Sequence, residues 1–234
     1  VTFDLWNTLI SERNYDDLRA AYLAKALSEQ NIIKEYREII KAVIKAHDRA
    51  HRVGKEEDHR FVTVNERLGY ILEDLEVSLP ESAKEPLIKE FKEVILENPP
   101  LLVEGVQEVL QFLDPQYRMA IVCDSGITPG RILRKILDKV HVLGFFGATV
   151  FSDEVGYNKP HRLMFETALR RLHVNASKTV HVGDSYETDI VGAKSMGMKA
   201  VWFNRGGTVK TGKFRPDFEI SFLARLIEVL RELC

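Results

Sequence analysis

The chain has 234 residues, of which 45% are hydrophobic and 29% charged, and its formal net charge is -2. This length and composition are typical of an ordinary globular protein with one large domain, or with a core and a smaller second domain. No basic stripe dominates and no apolar run approaches the roughly 18 residues of a membrane span, so we expect neither nucleic acid nor a membrane as partner. Two cysteines and the lack of a secretory pattern predict a reducing, cytoplasmic location.

The first predicted element is a short buried strand, because Val1, Thr2 and Phe3 are β-branched or aromatic. The strand ends at Asp4. An aspartate in this position lies at the carboxyl edge of an α/β sheet, where the strand ends form a crevice that binds ligands. Asp4 is therefore the first candidate functional residue.

Four helices without an intervening strand are predicted next. Their signals are apolar residues at helical spacing, a capping box formed by Thr63 and Glu66, and a stop at Pro99. The apolar face predicted for the first helix consists of Leu18, Tyr22 and Ala26. We predict a helical cap domain over residues 11–99, inserted into a core formed by residues 1–10 and 100–234.

The second half of the chain alternates strands with helices, which indicates a parallel sheet with right-handed crossovers. The predicted strands cover residues 119–123, 148–151, 179–182 and 200–203. The predicted fold class is therefore α/β, with a Rossmann-like parallel sheet core and an inserted four-helix cap domain.

Polar side chains cluster at four of these strand ends. In chain order they are Asp4 and Thr8, then Cys123, Asp124 and Ser125, then Lys159, and finally Asp184 and Asp189. A carboxylate nucleophile divides phosphate ester hydrolysis into two easier steps, and a divalent cation relieves its repulsion with the phosphoryl group. Asp184 and Asp189 can approach such a cation together with Asp4, and Lys159 would neutralise the remaining charge. Each residue alone has an ordinary structural explanation, but the four positions together predict phosphoryl transfer.

These four positions resemble the motifs of the haloacid dehalogenase superfamily, in the subgroup with a helical cap after the first strand. The resemblance covers nearly the whole chain. It implies that Asp4 is the nucleophile, that Lys159 is the second catalytic residue, and that the substrate is a small phosphorylated molecule. The Mg²⁺ ligands it implies are Asp4, Asp184, Asp189 and the main-chain carbonyl of Trp6. The substrate and phosphate contacts it implies are Thr8, Cys123, Asp124, Ser125 and Trp6.

Two residues depart from the family's pattern. Trp6 stands where family phosphatases usually carry an aspartate that protonates the leaving group, a form of catalysis that contributes roughly 10²–10⁴-fold. We therefore expect slow turnover of alkyl phosphates and a preference for activated leaving groups. Cys123 stands at a Ser/Thr position, and its thiol is a weaker hydrogen-bond donor. Either Ser125 compensates for it, or Cys123 is simply a small buried residue.

Trp6 also leaves two alternative functions open. The 2-haloacid dehalogenases of this superfamily carry an aromatic residue at this position, and they need no metal and no proton for the leaving halide. The retained Asp184 and Asp189 favour a metal site and therefore a phosphatase. The third hypothesis is a weakly active, phosphate-binding regulatory protein, which the loss of an acid/base aspartate would explain.

Substrate selection is expected in the cap. One charged stretch, interpreted as a loop between the second and third helices, contains Arg49, Arg52, Lys55, His59 and Arg60. Such a loop either binds a second anionic group of the substrate or is merely a solvated surface. Arg13 and Tyr15 are candidates for lining the pocket, and His181 is predicted to be a core histidine. The sequence does not indicate the oligomeric state.

Overall fold

The computed structural model of the protein describes residues 1–233, so Cys234, the last residue of the predicted core segment, lies outside the described residues. The fold is α/β, as predicted, with a six-stranded parallel sheet and flanking helices. Between residues 1 and 233, no helix has the length and apolar character that crossing a membrane requires.

The sheet contains five predicted strands and one that the sequence did not reveal. The strands are β1 (Thr2–Phe3), β2 (Ala120–Cys123), β3 (Ala148–Phe151), β4 (Val180–Gly183), β5 (Lys199–Phe203) and β6 (Phe218–Ile220). The unexpected strand is β6, which pairs with β5 at the edge of the sheet. Only Ile220 of its three residues is buried, so β6 has too few apolar positions to show a strand pattern.

The spatial order of the strands is β3-β2-β1-β4-β5-β6, and all neighbouring pairs are parallel. The chain order therefore reverses at β1, which lies between β2 and β4. Open α/β sheets bind ligands at the carboxyl ends of the strands beside such a switch point. The main-chain N–H of Asp4 donates to the carbonyl of Val182 at 2.8 Å, which continues the β1–β4 ladder past the end of β1.

Four helices follow β1 directly, as predicted. They are α1 (Asp16–Glu29), α2 (Tyr36–Glu56), α3 (Val64–Asp74) and α4 (Glu81–Glu93), and a 3₁₀ turn (Val94–Leu96) follows them. Their apolar faces form a cluster of their own, to which Ile127 is the one buried contributor from the sheet region among the described residues. The predicted capping box is present, since Glu66 N donates to the Thr63 hydroxyl and Thr63 N donates to the Glu66 carboxylate. The domain boundaries at residues 11 and 99 stay a prediction.

Two details of this helical region differ from the sequence-based expectation. Residues 49–56 are part of α2 and not a loop, because the small residues Ala46, Ala50 and Gly54 recur at i, i+4 spacing and are buried. A side chain on Gly54 would lie 2.8 Å from the carbonyl of Arg60, so this position requires a glycine. The buried face of α1 consists of Arg19, Ala20, Leu23 and Leu27, one position away from the predicted face, and Leu18 is exposed.

The remaining helices pack on the sheet. They are α5 (Val106–Leu113), α6 (Gly130–Lys139), α7 (Ser152–Val155), α8 (Arg162–Leu172), α9 (Val191–Ser195) and α10 (Leu226–Leu233). The chain leaves the sheet and returns to it along two adjacent segments, because Ser11 N donates to Leu101 O at 2.8 Å. The Tyr15 hydroxyl donates to Asn98 O at 2.7 Å, and Arg13 donates to Pro99 O at 3.5 Å. These two side chains therefore join the two connecting segments. Contrary to the sequence prediction, neither lines the cavity between the sheet edge and the helical insertion.

A third contact joins the helical insertion to the core. Asn158 N donates to His59 O at 2.7 Å, and Phe61 N donates to Gly156 O at 2.9 Å. The loop after α2 is thus hydrogen-bonded through its main chain to the loop that precedes Lys159. This contact holds α2 across the carboxyl edge of the sheet.

Candidate active site

Asp4 lies at the centre of the carboxyl edge, and its side chain is almost fully buried. Its Oδ1 accepts a hydrogen bond from Lys159 Nζ at 2.6 Å, and its Oδ2 accepts one from the Thr8 hydroxyl at 3.1 Å. Thr8 reaches Asp4 because the chain turns sharply after β1, through a left-handed Asn7 with φ 57°. Burial and the neighbouring Asp189 raise the Asp4 pKa above its usual value, although Lys159 opposes this shift.

Lys159 connects two carboxylates at this edge. Its Nζ donates to Asp4 Oδ1 and to Asp189 Oδ1, both at 2.6 Å, and its side chain is 2% exposed. Burial lowers the pKa of an ammonium group, but Asp189 and Asp4 outweigh burial here and hold the Lys159 pKa well above its usual value. A buried charge of this kind is tolerated only when it is paired with good geometry. Lys159 is therefore a fixed cation beside the candidate nucleophile.

The structure brings Asp4, Asp184 and Asp189 together. One carboxylate oxygen from each lies within 4.8 Å of the others. Asp184 follows β4, and a π-helical turn (Tyr186–Ile190) directs Asp189 back to the same place. A side chain on Gly183 would lie 2.3 Å from the Asp189 carboxyl carbon, so only glycine permits this turn to pack so closely.

This cluster fits a magnesium ion. Three converging carboxylates supply the hard oxygen donors that Mg²⁺ prefers. Burial, together with the charges of Asp4 and Asp189, raises the Asp184 pKa to about 7, and a cation among the three carboxylates would relieve this repulsion. The contribution of the Trp6 carbonyl to such a site stays a prediction.

Asp189 has further partners that the sequence did not reveal. Its Oδ1 lies 3.1 Å from His181 Nε2, and its Oδ2 accepts a hydrogen bond from Ser185 N at 3.0 Å. Burial would raise the Asp189 pKa, but Lys159 and His181 outweigh it and lower that pKa to about 2. His181 is buried as predicted, yet it also orients Asp189, and its Nδ1 lies 2.9 Å from the hydroxyl of Thr2. The signal for this role was a histidine two residues before Gly183 in an otherwise apolar strand.

The three residues at the end of β2 differ in their surroundings. Cys123 is fully buried, and burial together with Asp4 raises its thiol pKa well above the usual value, so the thiol is neutral. Asp124 Oδ1 accepts a hydrogen bond from Lys159 N at 2.8 Å, and burial raises the Asp124 pKa to about 7. The Ser125 hydroxyl is bonded instead to Ser152 Oγ and to Asp153 N. It is therefore engaged away from the nucleophile, and its placement does not support the expected compensation for Cys123.

Trp6 lies in the turn after Asp4 and is partly buried against the core beneath the sheet edge. Its indole N–H is a donor only and does not exchange a proton near neutral pH. Trp6 therefore does not replace the acid/base group that the family pattern has at this position.

A cavity of about 460 Å³ opens between the sheet edge and the helical insertion. Its core wall includes Asp124, Lys159, Glu187 and Thr188, and its cap wall includes His47, His51, Lys55, His59 and Arg67. This size suits a small molecule. We use the name cap wall below for these five basic side chains.

The cap wall overlaps only in part with the basic stretch found in the sequence. Lys55 and His59 line the cavity, whereas Arg49 and Arg60 form ion pairs with Glu73 and Glu66 outside it. His47 and His51 went unnoticed because the stretch from residue 49 was interpreted as a loop and not as a continuation of α2. Their signal was the i, i+4 spacing of His47, His51 and Lys55, which places all three on one face of α2.

The strand order, the acidic cluster at the switch point and the helical insertion together define an α/β hydrolase. A model of the haloacid dehalogenase-like hydrolases matches residues 1–197, and the chain belongs to this family.

Named relatives match the sequence of this chain, and a solved structure shares its fold. A glyceraldehyde 3-phosphate phosphatase from Pyrococcus abyssi is 38% identical over 105 residues, which are 44% of this chain and 43% of that protein, so the chain spans less than half of that relative's length in the alignment. A glyceraldehyde 3-phosphate phosphatase from Methanopyrus kandleri is 28% identical over 100% of this chain and 97% of its own length. The crystal structure of a 2-haloacid dehalogenase from Pseudomonas syringae matches with a TM-score of 0.74 and 26% identity, over 100% of this chain and 98% of that one.

Proposed function

We propose that this protein is a Mg²⁺-dependent phosphatase that hydrolyses a small phosphate monoester through a phosphorylated Asp4. The observation that carries this proposal is the convergence of Asp4, Asp184 and Asp189, with Lys159 bonded to two of the three. A dehalogenase substrate carries less negative charge and does not require such a concentration of metal-binding carboxylates. The relatives named glyceraldehyde 3-phosphate phosphatase also support a phosphatase.

In the proposed reaction an Asp4 oxygen attacks phosphorus, and the bond between phosphorus and the ester oxygen breaks. Water then attacks the phosphorus of the acyl phosphate, which releases phosphate and restores the Asp4 carboxylate. The Thr8 hydroxyl and Lys159 Nζ hold the two Asp4 oxygens in place before attack. The Lys159 ammonium also offsets negative charge that develops on the phosphoryl oxygens. Mg²⁺, held by Asp4, Asp184 and Asp189, would supply charge neutralisation between the carboxylate and the phosphoryl group.

The test measures phosphate release from p-nitrophenyl phosphate and from glyceraldehyde 3-phosphate, with Mg²⁺ and with EDTA. We expect activity only with Mg²⁺ and a loss of at least about 10³-fold in Asp4→Asn, because an amide does not act as the nucleophile. Asp138→Asn, which removes an exposed carboxylate on α6, is the matched control and should retain activity. Undiminished turnover in EDTA, or in Asp4→Asn, would contradict the proposal.

The second candidate function is a 2-haloacid dehalogenase, and Trp6 is the observation that favours it. The similarity to the solved dehalogenase structure points the same way. Halide release from 2-chloropropionate in the presence of EDTA would establish this activity in place of the phosphatase. If neither reaction occurs and inorganic phosphate still binds, the protein is a phosphate-binding regulatory protein.

A further inference from the structure

The proposed phosphatase reaction assigns no role to the cap wall. We infer that Arg67 and Lys55 of this wall bind a second anionic group of the substrate, a carboxylate or a further phosphate, while its phosphoryl group lies against Asp4. This inference rests on the proposed function, whose substrate it restricts to phosphate esters with a second negative charge. The cavity that joins both walls has a volume of about 460 Å³, which limits the substrate to a small molecule.

Arg67 is the strongest reason for this inference. Its Nε donates to the carbonyl of Val62 at 3.2 Å, which holds the side chain in place at the cavity. Within the described range of 1–233, no carboxylate lies within ion-pair distance of its guanidinium. Burial and the nearby Arg19 lower the Arg67 pKa to about 10, with Tyr70 and Glu66 opposing this shift, so the group is still charged at neutral pH. Glu66 lies beyond ion-pair distance of Arg67 and forms its ion pair with Arg60. A partly buried cation without a counter-ion is unfavourable, and an anionic ligand would remove this penalty.

Other arginines of the helical insertion have their charges compensated. Arg19 pairs with Asp16, Arg49 with Glu73, and Arg60 with both Glu57 and Glu66. Arg13, Arg37 and Arg52 form no ion pair within residues 1–233 but are exposed to solvent, where a counter-ion is not needed. Arg67 differs from both groups because it is partly buried, faces a cavity and is unpaired.

Lys55 adds a second positive charge to the cavity that Arg67 faces, and His51 and His59 add ring nitrogens. Lys55 and His51 lie one turn apart on α2, and neither forms an ion pair within the part of the chain that the structure describes. His59 joins them from the loop after α2, where Asp58 and His59 both have left-handed backbones with φ of 55° and 63°. Such a conformation is unfavourable for two consecutive non-glycine residues and persists only when the surroundings impose it. The hydrogen bonds from Asn158 to His59 O impose it here.

The acidic side chains of the cavity lie on the opposite wall. Glu187 pairs with Lys210, and Asp124 accepts the hydrogen bond from Lys159 N. The cap wall itself contains no carboxylate among its lining residues. A phosphate ester with an anionic tail is therefore matched at both ends, with its tail toward Arg67 and Lys55.

Binding to the Asp4→Asn variant with Mg²⁺ present tests this inference without turnover. The probes share a three-carbon frame: glycerol 3-phosphate has a neutral tail, 3-phosphoglycerate a carboxylate tail and glycerol 1,3-bisphosphate a phosphate tail. By calorimetry we expect at least one anionic-tail probe to bind about tenfold to a hundredfold more tightly than glycerol 3-phosphate, as for a hydrogen bond between charged groups. The tighter of the two identifies the anion.

In the Arg67→Met variant, the preference for the anionic-tail probe over glycerol 3-phosphate should fall to less than about threefold. Arg67→Lys, which keeps the charge without the planar fork, should retain part of it. Arg49→Met removes a cation outside the cavity and should leave the preference unchanged, which controls for net charge. If Arg67→Met does not fold, Lys55→Met is tested instead, because Lys55 is exposed. This variant must reduce the preference for the anionic-tail probe at least about threefold.

Equal binding of all three probes, or a preference that survives in Arg67→Met, would overturn the inference. Turnover by the unsubstituted protein separates this outcome from a failure of the proposed function. If all three probes are hydrolysed at equal kcat/KM, the phosphatase stands and the anion site fails. If neither the three probes nor p-nitrophenyl phosphate is hydrolysed but the binding preference depends on Arg67, the anion site stands and the phosphatase fails.

Discussion

The two walls of the cavity differ in whether their charged side chains are paired within the protein. On the core wall, Lys159 is buried and bonded to both Asp4 and Asp189, so its charge is fully engaged by the protein. On the cap wall, Arg67 and Lys55 lack carboxylate partners within the described residues and face the open cavity. Paired, buried charges hold a reacting geometry, whereas unpaired charges at a cavity are available to a ligand. Under the proposed function, the core wall would perform the chemistry and the cap wall would select the substrate.

The largest expected effect comes from a substitution in the core wall. Lys159→Met should lower p-nitrophenyl phosphate turnover by about 10³-fold, because it removes the cation that holds Asp4 and offsets phosphoryl charge. It should also lower the free energy of unfolding by about 3–5 kcal/mol, because Asp4 and Asp189 are left buried without their partner. Steady-state kinetics and urea unfolding measure the two effects.

Lys55→Met on the cap wall is the matched control for this substitution. It removes the same charge from an exposed position and should change aryl phosphate turnover and stability little. Similar losses in both variants would show that the two walls do not divide chemistry from selection.

An intermediate effect concerns Trp6, beside the nucleophile. Trp6→Asp should raise the turnover of ethyl phosphate by about tenfold or more, because a carboxylic acid in this position protonates an alkoxide leaving group. Turnover of p-nitrophenyl phosphate should rise much less, since a phenolate leaves without a proton. The ratio of the two kcat values is the measurement, and an unchanged ratio would mean that Trp6 does not limit leaving-group protonation.

The smallest expected effect comes from Asp16, which contacts His47 of the cap wall. Asp16 bonds His47 at 2.9 Å and Arg19 at 3.3 Å. Burial raises the Asp16 pKa, but His47 and Arg19 outweigh burial, so the net shift is downward. Asp16→Asn should therefore lower the free energy of unfolding by about 1–2 kcal/mol at pH 7.

The pH dependence of this loss has a definite sign. A carboxyl group with a depressed pKa in the folded state stabilises the protein above its unfolded pKa, and this stabilisation disappears as the pH falls through the folded pKa. The difference in stability between Asp16→Asn and the unsubstituted protein should thus shrink below pH 4 and vanish once Asp16 is protonated. A difference that stays constant from pH 7 to pH 2 would show that the ion pairs do not stabilise the cap.

Predictions from the sequence succeeded best at the sheet edge. Short apolar strands that end in Asp4, Cys123 and Gly183 locate functional groups because parallel strands place all their carboxyl ends on one side. Strand bounds were correct to within one residue at β2 to β5, and the helical insertion was found. The edge strand β6 was missed because its three residues carry too little apolar pattern.

The cap wall was harder to predict, because helix periodicity identifies a buried face but not what an exposed face covers. No sequence pattern distinguishes Arg67, and its importance lies in facing the cavity without a carboxylate at ion-pair distance among residues 1–233. His181 likewise acquires its role only because β1 and β4 pair and bring it between Thr2 and Asp189.

The sequence by itself determined the family, the fold class and the acids and lysine at the strand ends, because these depend on local patterns repeated along the chain. The tertiary structure decided which charges are paired and which are free. Lys159 lies 155 residues from Asp4 in the chain and is bonded to it, whereas Arg67 has no carboxylate at ion-pair distance among the described residues. Pairing of this kind depends on distances between elements that the packing of sheet and helices sets, and no sequence pattern encodes those distances.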